Sequence, residues 1–391
     1  MIESSRSRPT GVRRHRIVGR ERVVRKRWLW VLALPALALL LAGCSQDLPQ
    51  DTLDPASDTA QEQKNIFVFV MIIAAVVFVL VEGGIVLISL KYRHRKGQER
   101  MPKQIHGNTR LEVGWTIVPA LVLAVVMVPT ISMIWSLAEQ PANALHVTAK
   151  GYQWWWGFEY TDPDMEVTWA EETPIVTADV MVIPLGRTVD VAVEAAGGLV
   201  SGPGPDGEPN PDHQVIHSFW VPRLFGKQDA VPNRTNHIVF TADETGTFLG
   251  QCAEFCGLQH GRMKFRIVVL EPAAWEDWVD AQKLPAAEPT DELAREGMDL
   301  FLNGDFEAGQ CIDCHTIGGT EAAGAGGPNL THYAARTHEC FAGCNFETPD
   351  EEALRAWLRD PDAVKLGVKM PNYGLTEVEI DALVAYLMSL R

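Results

Sequence analysis

The sequence predicts a multidomain membrane protein: a two-helix transmembrane hairpin, a β-sandwich domain and an all-α domain. Three observations predict it. Two apolar runs, residues 66–90 and 114–137, are each long enough to cross a hydrocarbon layer of ~30 Å as a helix. From residue 145 the pattern changes to short alternating segments divided by turn residues. After residue 290 helical periodicity takes over.

At 391 residues, 47% hydrophobic and 21% charged, the chain exceeds one ordinary domain and can bury a core. The formal charge of −16 is uneven. The first 30 residues carry ten Arg or Lys against two Glu, whereas residues 291–391 carry 18 Asp or Glu against 7 Lys or Arg. An acidic tail argues against nucleic acid as a partner and fits solubility or basic protein partners. The basic start leads into "WLWVLALPALALLLAGC", a secretory signal ending in Leu41-Ala42-Gly43-Cys44. That ending is the small-residue pattern before a bacterial lipoprotein cysteine. On this reading residues 1–43 are a lipoprotein signal peptide, Cys44 is lipidated, and residues 44–65 form an outer N-terminal segment. The apolar run is short for a span of ~20 residues, which favours cleavage over a retained anchor.

Between the two spans, "KYRHRKGQERMPKQIHGNTR" has seven Lys or Arg and one Glu, so this loop is cytoplasmic by the positive-inside rule. Both flanks of the hairpin (residues 66–140) are then outside, in agreement with a lipid anchor on the outer face. The expected location is a bacterial cell membrane, multi-pass, with the later domains extracytoplasmic.

Residues 141–272 contain "LHVTAKGYQWWWGFEY", "TVDVAVEA", "HQVIHSFWVP", "TNHIVFTAD" and "KFRIVVLEP", the signal of an antiparallel β-sandwich or barrel. The Gly- and Pro-rich insert at 197–212 is a loop. Residues 273–290 read as a short amphipathic helix and a Pro/Ala linker. In 291–391, "DELAREGMDLFL", "PDEEALRAWLRD" and "TEVEIDALVAYLMSL" have helical spacing.

Besides Cys44 the chain has three close cysteine pairs. Residues 311–315 read Cys-Ile-Asp-Cys-His, the c-type haem attachment pattern. Two thiols, Cys311 and Cys314, add to the porphyrin vinyl groups, and His315 falls beneath the iron. Met370, 55 residues after His315 and followed by Pro371, offers a thioether as sixth ligand, which raises a haem potential. Met298 is the rival, on a helix before the motif. Cys340 and Cys344, in "HECFAGC", read as a disulfide closing a loop insertion rather than as metal ligands. The remaining pair lies in "GQCAEFCGLQHGRM". There Cys252, Cys256, His260 and Met263 are soft thiolate, imidazole and thioether donors, a set that favours copper. Two thiolates can bridge two copper ions, which also keeps them from closing a disulfide. A second imidazole must come from elsewhere. His217, in "VIHSFWVP", is preferred because it opens a strand-like segment before the cysteine loop; His146, His213 and His237 lack such a context.

With these residues in view the chain resembles subunit II of the haem–copper cytochrome c oxidases, in the caa-type form with a fused C-terminal cytochrome c domain. The pattern CxExCxxxHxxM carries most of the resemblance. It implies a cupredoxin domain with a binuclear CuA centre, followed by a class I cytochrome c domain. Cys252 and Cys256 match the bridging thiolates. His217 and Met263 match the ligands of one copper, His260 and the carbonyl of Glu254 those of the other. The Glu254 carboxylate matches a ligand of a magnesium ion shared with subunit I. Trp154, in "GYQWWWGFEY", matches the tryptophan through which electrons reach CuA. Glu112, in "RLEVGWTIVPA", matches the carboxylate at the mouth of a proton path. Pro328 matches the proline whose carbonyl orients the axial imidazole. Two departures, Tyr152 for a histidine and Gln214 for an acid, weaken the case for a soluble cytochrome docking at CuA. The resemblance implies electron transfer from a bc complex or external cytochrome c, through haem c and CuA, to subunit I, alongside subunit III. Oxygen is then reduced to water with proton pumping. A CuA subunit of a nitric oxide reductase and a copper-carrying or assembly lipoprotein are the alternatives. A tether of ~15–20 residues would hold the haem domain at roughly millimolar effective concentration.

Overall fold

The computed structural model describes residues 48–94, 97, 104, 106–171, 173–197, 214–335, 340–348 and 350–391. The expected signal peptide, Cys44, His213 and most of the 197–212 loop lie outside the described residues.

Two helices, α1 (Asp58–Lys91) and α2 (Thr109–Ala138), contain the apolar runs and begin before them. Both are long and apolar enough to cross a membrane. At 1.5 Å per residue α1 extends for about 51 Å, well beyond the ~30 Å of hydrocarbon. Its first turns belong to the folded domain instead. Ser57 caps the helix by accepting from the Ala60 amide and donates its own hydroxyl to the Leu224 carbonyl. Thr59 Oγ1 donates to the Val239 carbonyl at 2.9 Å, and the Asp58 carboxylate accepts from the Thr241 amide at 2.8 Å. Polar groups that a hydrophobicity reading discards therefore set where α1 starts.

The β region forms two five-stranded sheets. One contains β1 (Leu145–Tyr152), β2 (Trp155–Tyr160), β3 (Ile175–Ala178), β5 (Thr188–Ala195) and β8 (Asn236–Thr241), in the order β3-β2-β1-β5-β8. The other contains β4 (Val180–Pro184), β6 (His217–Trp220), β7 (Gln228–Ala230), β9 (Gly246–Cys252) and β10 (Lys264–Leu270), in the order β4-β10-β9-β6-β7. The sandwich is not wholly antiparallel as expected: β1 runs parallel to β5 and β10 parallel to β4. The chain changes sheets between β3 and β4, so strands distant in sequence become neighbours, and strand patterning alone carries no information on that. Alternate residues of β1 are buried, as one covered face requires. Trp156, Phe158, Phe219 and Phe265 fill the middle; the Phe219 and Phe265 rings stack at 4.3 Å.

Helix α3 (Pro272–Gln282) is no free tether: Trp275 and Val279 join the sandwich core, and Tyr160 packs against Trp275 and Trp278. The C-terminal domain holds α4 (Glu292–Asn303), α5 (Glu351–Arg359), α6 (Pro361–Val364) and α7 (Glu377–Ser389). Asp291, Asp350 and Thr376 cap α4, α5 and α7. A short hairpin, β11 (Cys340–Phe341) with β12 (Phe346–Glu347), interrupts them. Helices α4 and α7 cross at Gly297, where an added Cβ would sit 1.9 Å from the Ala382 carbonyl oxygen. No side chain can give way there, because the obstacle is backbone. Gly297→Ala should therefore destabilise this domain by about 1–3 kcal/mol. A thermal melt followed by haem absorbance should move down by several degrees; an unchanged midpoint would show that the crossing is looser than described.

Candidate metal centre and haem cleft

The β9–β10 turn builds the first site. Cys252 ends β9, its amide donates to the Met263 carbonyl at 2.9 Å, and a one-turn helix at His260–Arg262 folds the loop back on itself. His217 opens β6, which pairs with β9 through Phe219 and Cys252. Strand pairing thus brings together residues 35 apart. The Cys252 and Cys256 sulfurs lie 3.7 Å from each other. Cys252 Sγ is 3.9 Å from His217 Nδ1 and 3.2 Å from the Glu254 carbonyl oxygen. Cys256 Sγ is 3.7 Å from His260 Nδ1 and 3.8 Å from Met263 Sδ. Each sulfur therefore touches one donor of each metal set named above, as a bridging ligand must. His217, Cys252 and Cys256 also form the one cluster of three metal-binding side chains among the described residues. The donor set fits a pair of copper ions.

The electrostatics agree. The hydrogen bond with Cys256, and after it that with His217, holds the Cys252 thiol far below its ordinary range despite burial. The same bond pushes Cys256 up. One thiolate is thus ready for metal before any binds.

The second site is an open cleft on the C-terminal domain. Cys311, Cys314, His315, Pro328 and Met370 all line it. His315 Nδ1 donates to the Pro328 carbonyl at 2.8 Å, which fixes the ring. Desolvation keeps the imidazole below its usual range, hence neutral, against that hydrogen bond. Burial pushes the Cys311 thiol up to about 11, so it is held as a thiol. Met370 Sδ accepts from Trp357 Nε1 at 3.1 Å. The rival, Met298, packs against the helical core. The residues fit a haem bonded through both cysteines.

Residues 48–133 match the family described as cytochrome c oxidase subunit II, transmembrane domain; residues 211–271 match its periplasmic domain; residues 294–391 match cytochrome c. Cytochrome c oxidase subunit 2 of Alkalihalophilus pseudofirmus is 35% identical over 367 residues, covering 92% of this chain and 96% of that one. The chain belongs to the cytochrome c oxidase subunit II family. The corresponding protein of Bacillus sp. PS3 is 34% identical over 91% of this chain and 95% of its own length. Quinol oxidase subunit 2 of Bacillus subtilis is 30% identical over 69% of this chain and 77% of its own. This subunit II is a membrane protein and an oxidase subunit with a cytochrome c domain, and its family and domains imply haem c and copper.

Trp154 joins the two sites of the subunit. It lies in the turn between β1 and β2, is 5% exposed, and donates from Nε1 to the Cys256 carbonyl at 3.0 Å. The same residue lines the haem cleft. Trp155 also lines the cleft, stacked on Tyr152 at 4.2 Å, whereas Trp156 is core. Glu112 stands exposed in the first turn of α2 and accepts from the Asn108 amide. Among the rival histidines, His146 pairs with Asp162 and His237 with Asp190.

Sequence reasoning missed several contributors. Gly151 lies against His217: a Cβ there would be 3.0 Å from the imidazole. Lys365 and Asp179 border the cleft and no motif contains them; Phe341, inside HECFAGC, borders it too. Cys340 and Cys344 are disulfide-bonded, as their sequence context led one to expect.

A metal-free chain exposed to air should lose the Cys252 and Cys256 thiols. Their sulfurs need approach by less than ~2 Å to form a bond of about 2.05 Å. Thiol counting after denaturation should find both in copper-loaded protein and neither in aerated metal-free protein. Thiols that persist in the latter would contradict the bridging geometry.

Proposed function

We propose that this subunit receives electrons for a terminal oxidase and passes them from haem c to binuclear CuA and on to subunit I, where oxygen is reduced to water with proton pumping. A cytochrome bc complex or an external cytochrome c is the donor, and subunit III completes the assembly. When bound, haem c and the copper pair supply reversible one-electron exchange. The chain supplies position. Cys311, Cys314, His315 and Met370 would hold the haem, with Pro328 orienting His315. His217, Cys252, Cys256, His260, Met263 and the Glu254 carbonyl would hold the coppers. The observation that carries the reading is Trp154, which walls the haem cleft and hydrogen-bonds the backbone of a copper thiolate residue.

The membrane arrangement follows the same logic. The start of α1 and the end of α2 both adjoin the sandwich, at the helix ends remote from the basic loop. That supports a bacterial cell membrane with both redox domains on the outer face, Cys44 lipidated there, and Glu112 near the cytoplasmic loop at the mouth of a proton path. A magnesium ion on the Glu254 carboxylate would draw its other ligands from subunit I.

The purified oxidase complex tests the function. Reduced through its haem, it should consume oxygen. Consumption of nitric oxide in preference would make it a nitric oxide reductase subunit, and haem and copper that exchange no electrons would make it a copper carrier.

A further inference from the structure

The HECFAGC insertion has no place in the chemistry above, yet its described part makes hydrogen bonds between the two folded domains. Asp179, at the corner between β3 and β4, adopts φ 60° and is 2% exposed. One of its carboxylate oxygens accepts from the Trp156 amide within the sandwich at 3.1 Å. The other accepts from the Gly343 amide, in the insertion, at 2.7 Å. A reciprocal bond runs the other way. Lys365 of the haem domain, also 2% exposed, donates to the Trp154 carbonyl at 2.6 Å and to the Ala342 carbonyl at 2.9 Å. A buried carboxylate from one domain and a buried ammonium from the other thus each find one partner across the boundary.

The copper loop is gripped as well. Arg262, between the ligand positions 260 and 263, donates to Asn345 Oδ1 at 3.1 Å and to the Val364 carbonyl at 2.8 Å. Asn345 returns a bond to the Arg262 carbonyl at 2.9 Å, and the Lys264 amide donates to the Gly343 carbonyl at 3.1 Å. Ala342, Gly343 and Cys344 all have left-handed φ, from 52° to 71°, a conformation that non-glycine residues hold only when their surroundings enforce it. The disulfide and these bonds enforce it. Space is exhausted at Gly343, where a Cβ would lie 2.5 Å from the Arg262 carbonyl and 3.0 Å from that of Trp154. Above Trp154 itself, Lys369 Nζ stands 5.7 Å from the ring centre.

We infer that the disulfide-closed loop 340–347 is a docking clip, with Asp179 and Lys365 as positioning residues, that holds the haem domain permanently seated on Trp154. Electron transfer to copper then starts from one fixed geometry, and the Trp154 face is closed to a soluble cytochrome. An outside donor must dock on the haem domain instead. The inference rests on the proposed function for its redox consequence, but not for the docking itself. One electron moves per event, from the reduced haem to the oxidised copper pair, with no proton required.

The test uses the full chain in detergent, loaded with haem and copper, as wild type, Gly343→Ala and Lys365→Met. Haem attachment and copper content, measured first, should be unchanged in both variants. Amide hydrogen exchange should show Gly343 and Lys264 protected in the wild type. In Lys365→Met, where the buried Trp154 and Ala342 carbonyls lose their donor, these amides should exchange about 100-fold faster. In Gly343→Ala the amides at position 343 and of Lys264 should respond in the same direction. After photoreduction of the haem, wild-type copper reduction should be independent of solvent viscosity. In the variants it should slow as glycerol is added, and reduced soluble cytochrome c should begin to reduce copper directly. Unprotected amides in the wild type, or variants that keep full protection, would overturn the clip. Protection without any haem-to-copper transfer would leave the clip standing and remove the proposed function.

Discussion

Cys256→Ser should reduce the copper content of the full chain from two ions to at most one, and electron transfer from the haem domain should fall below detection. A serine oxygen is a hard donor that replaces the soft, polarisable sulfur copper requires, and one remaining thiolate cannot bridge as a pair does. The haem cleft contains none of these atoms, and the optical spectrum of the attached haem should be unaltered. Copper analysis beside that spectrum checks both halves. Full copper in the variant would show that Cys256 is not a bridge.

Met370→Leu has the second large effect, on potential rather than on assembly. Covalent attachment rests on Cys311 and Cys314, so the haem should stay bound. Loss of the thioether should lower its reduction potential by a sizeable part of the ~0.8 V over which axial ligands act. Uptake of electrons from a donor should slow accordingly, and Trp357 Nε1 loses its acceptor. Met298→Leu, in the helical core, should leave the potential unchanged. The reverse pattern in a redox titration would make Met298 the ligand.

The parts of this architecture that were legible share one property: their chemistry is compressed into a short stretch. The proposed copper ligands at 252–263 and the proposed haem cysteines lie within single loops, so residue type and spacing were enough to suggest them. His217 was reachable because it opens a recognisable strand, although 35 residues separate it from Cys252. The two membrane helices followed from apolar length, but the start of α1 did not, since Ser57, Asp58 and Thr59 are anchored by tertiary hydrogen bonds. The docking clip was the least legible feature. Gly343 meets Asp179 across 164 residues and Lys365 meets Trp154 across 211. None of these residues belongs to a periodic pattern, and a buried lysine reads in sequence like any exposed one. For the same reason the stretch after residue 272, read as a short amphipathic helix and a linker, gave no sign that its two tryptophans fasten it to the sandwich.

Electron paramagnetic resonance of the oxidised, copper-loaded full chain tests the central arrangement most directly. Sulfurs that each neighbour one donor of both metals predict a single unpaired electron shared equally by two copper nuclei. A signal from one isolated copper, or no copper signal with Cys252 and Cys256 joined in a disulfide, would contradict it.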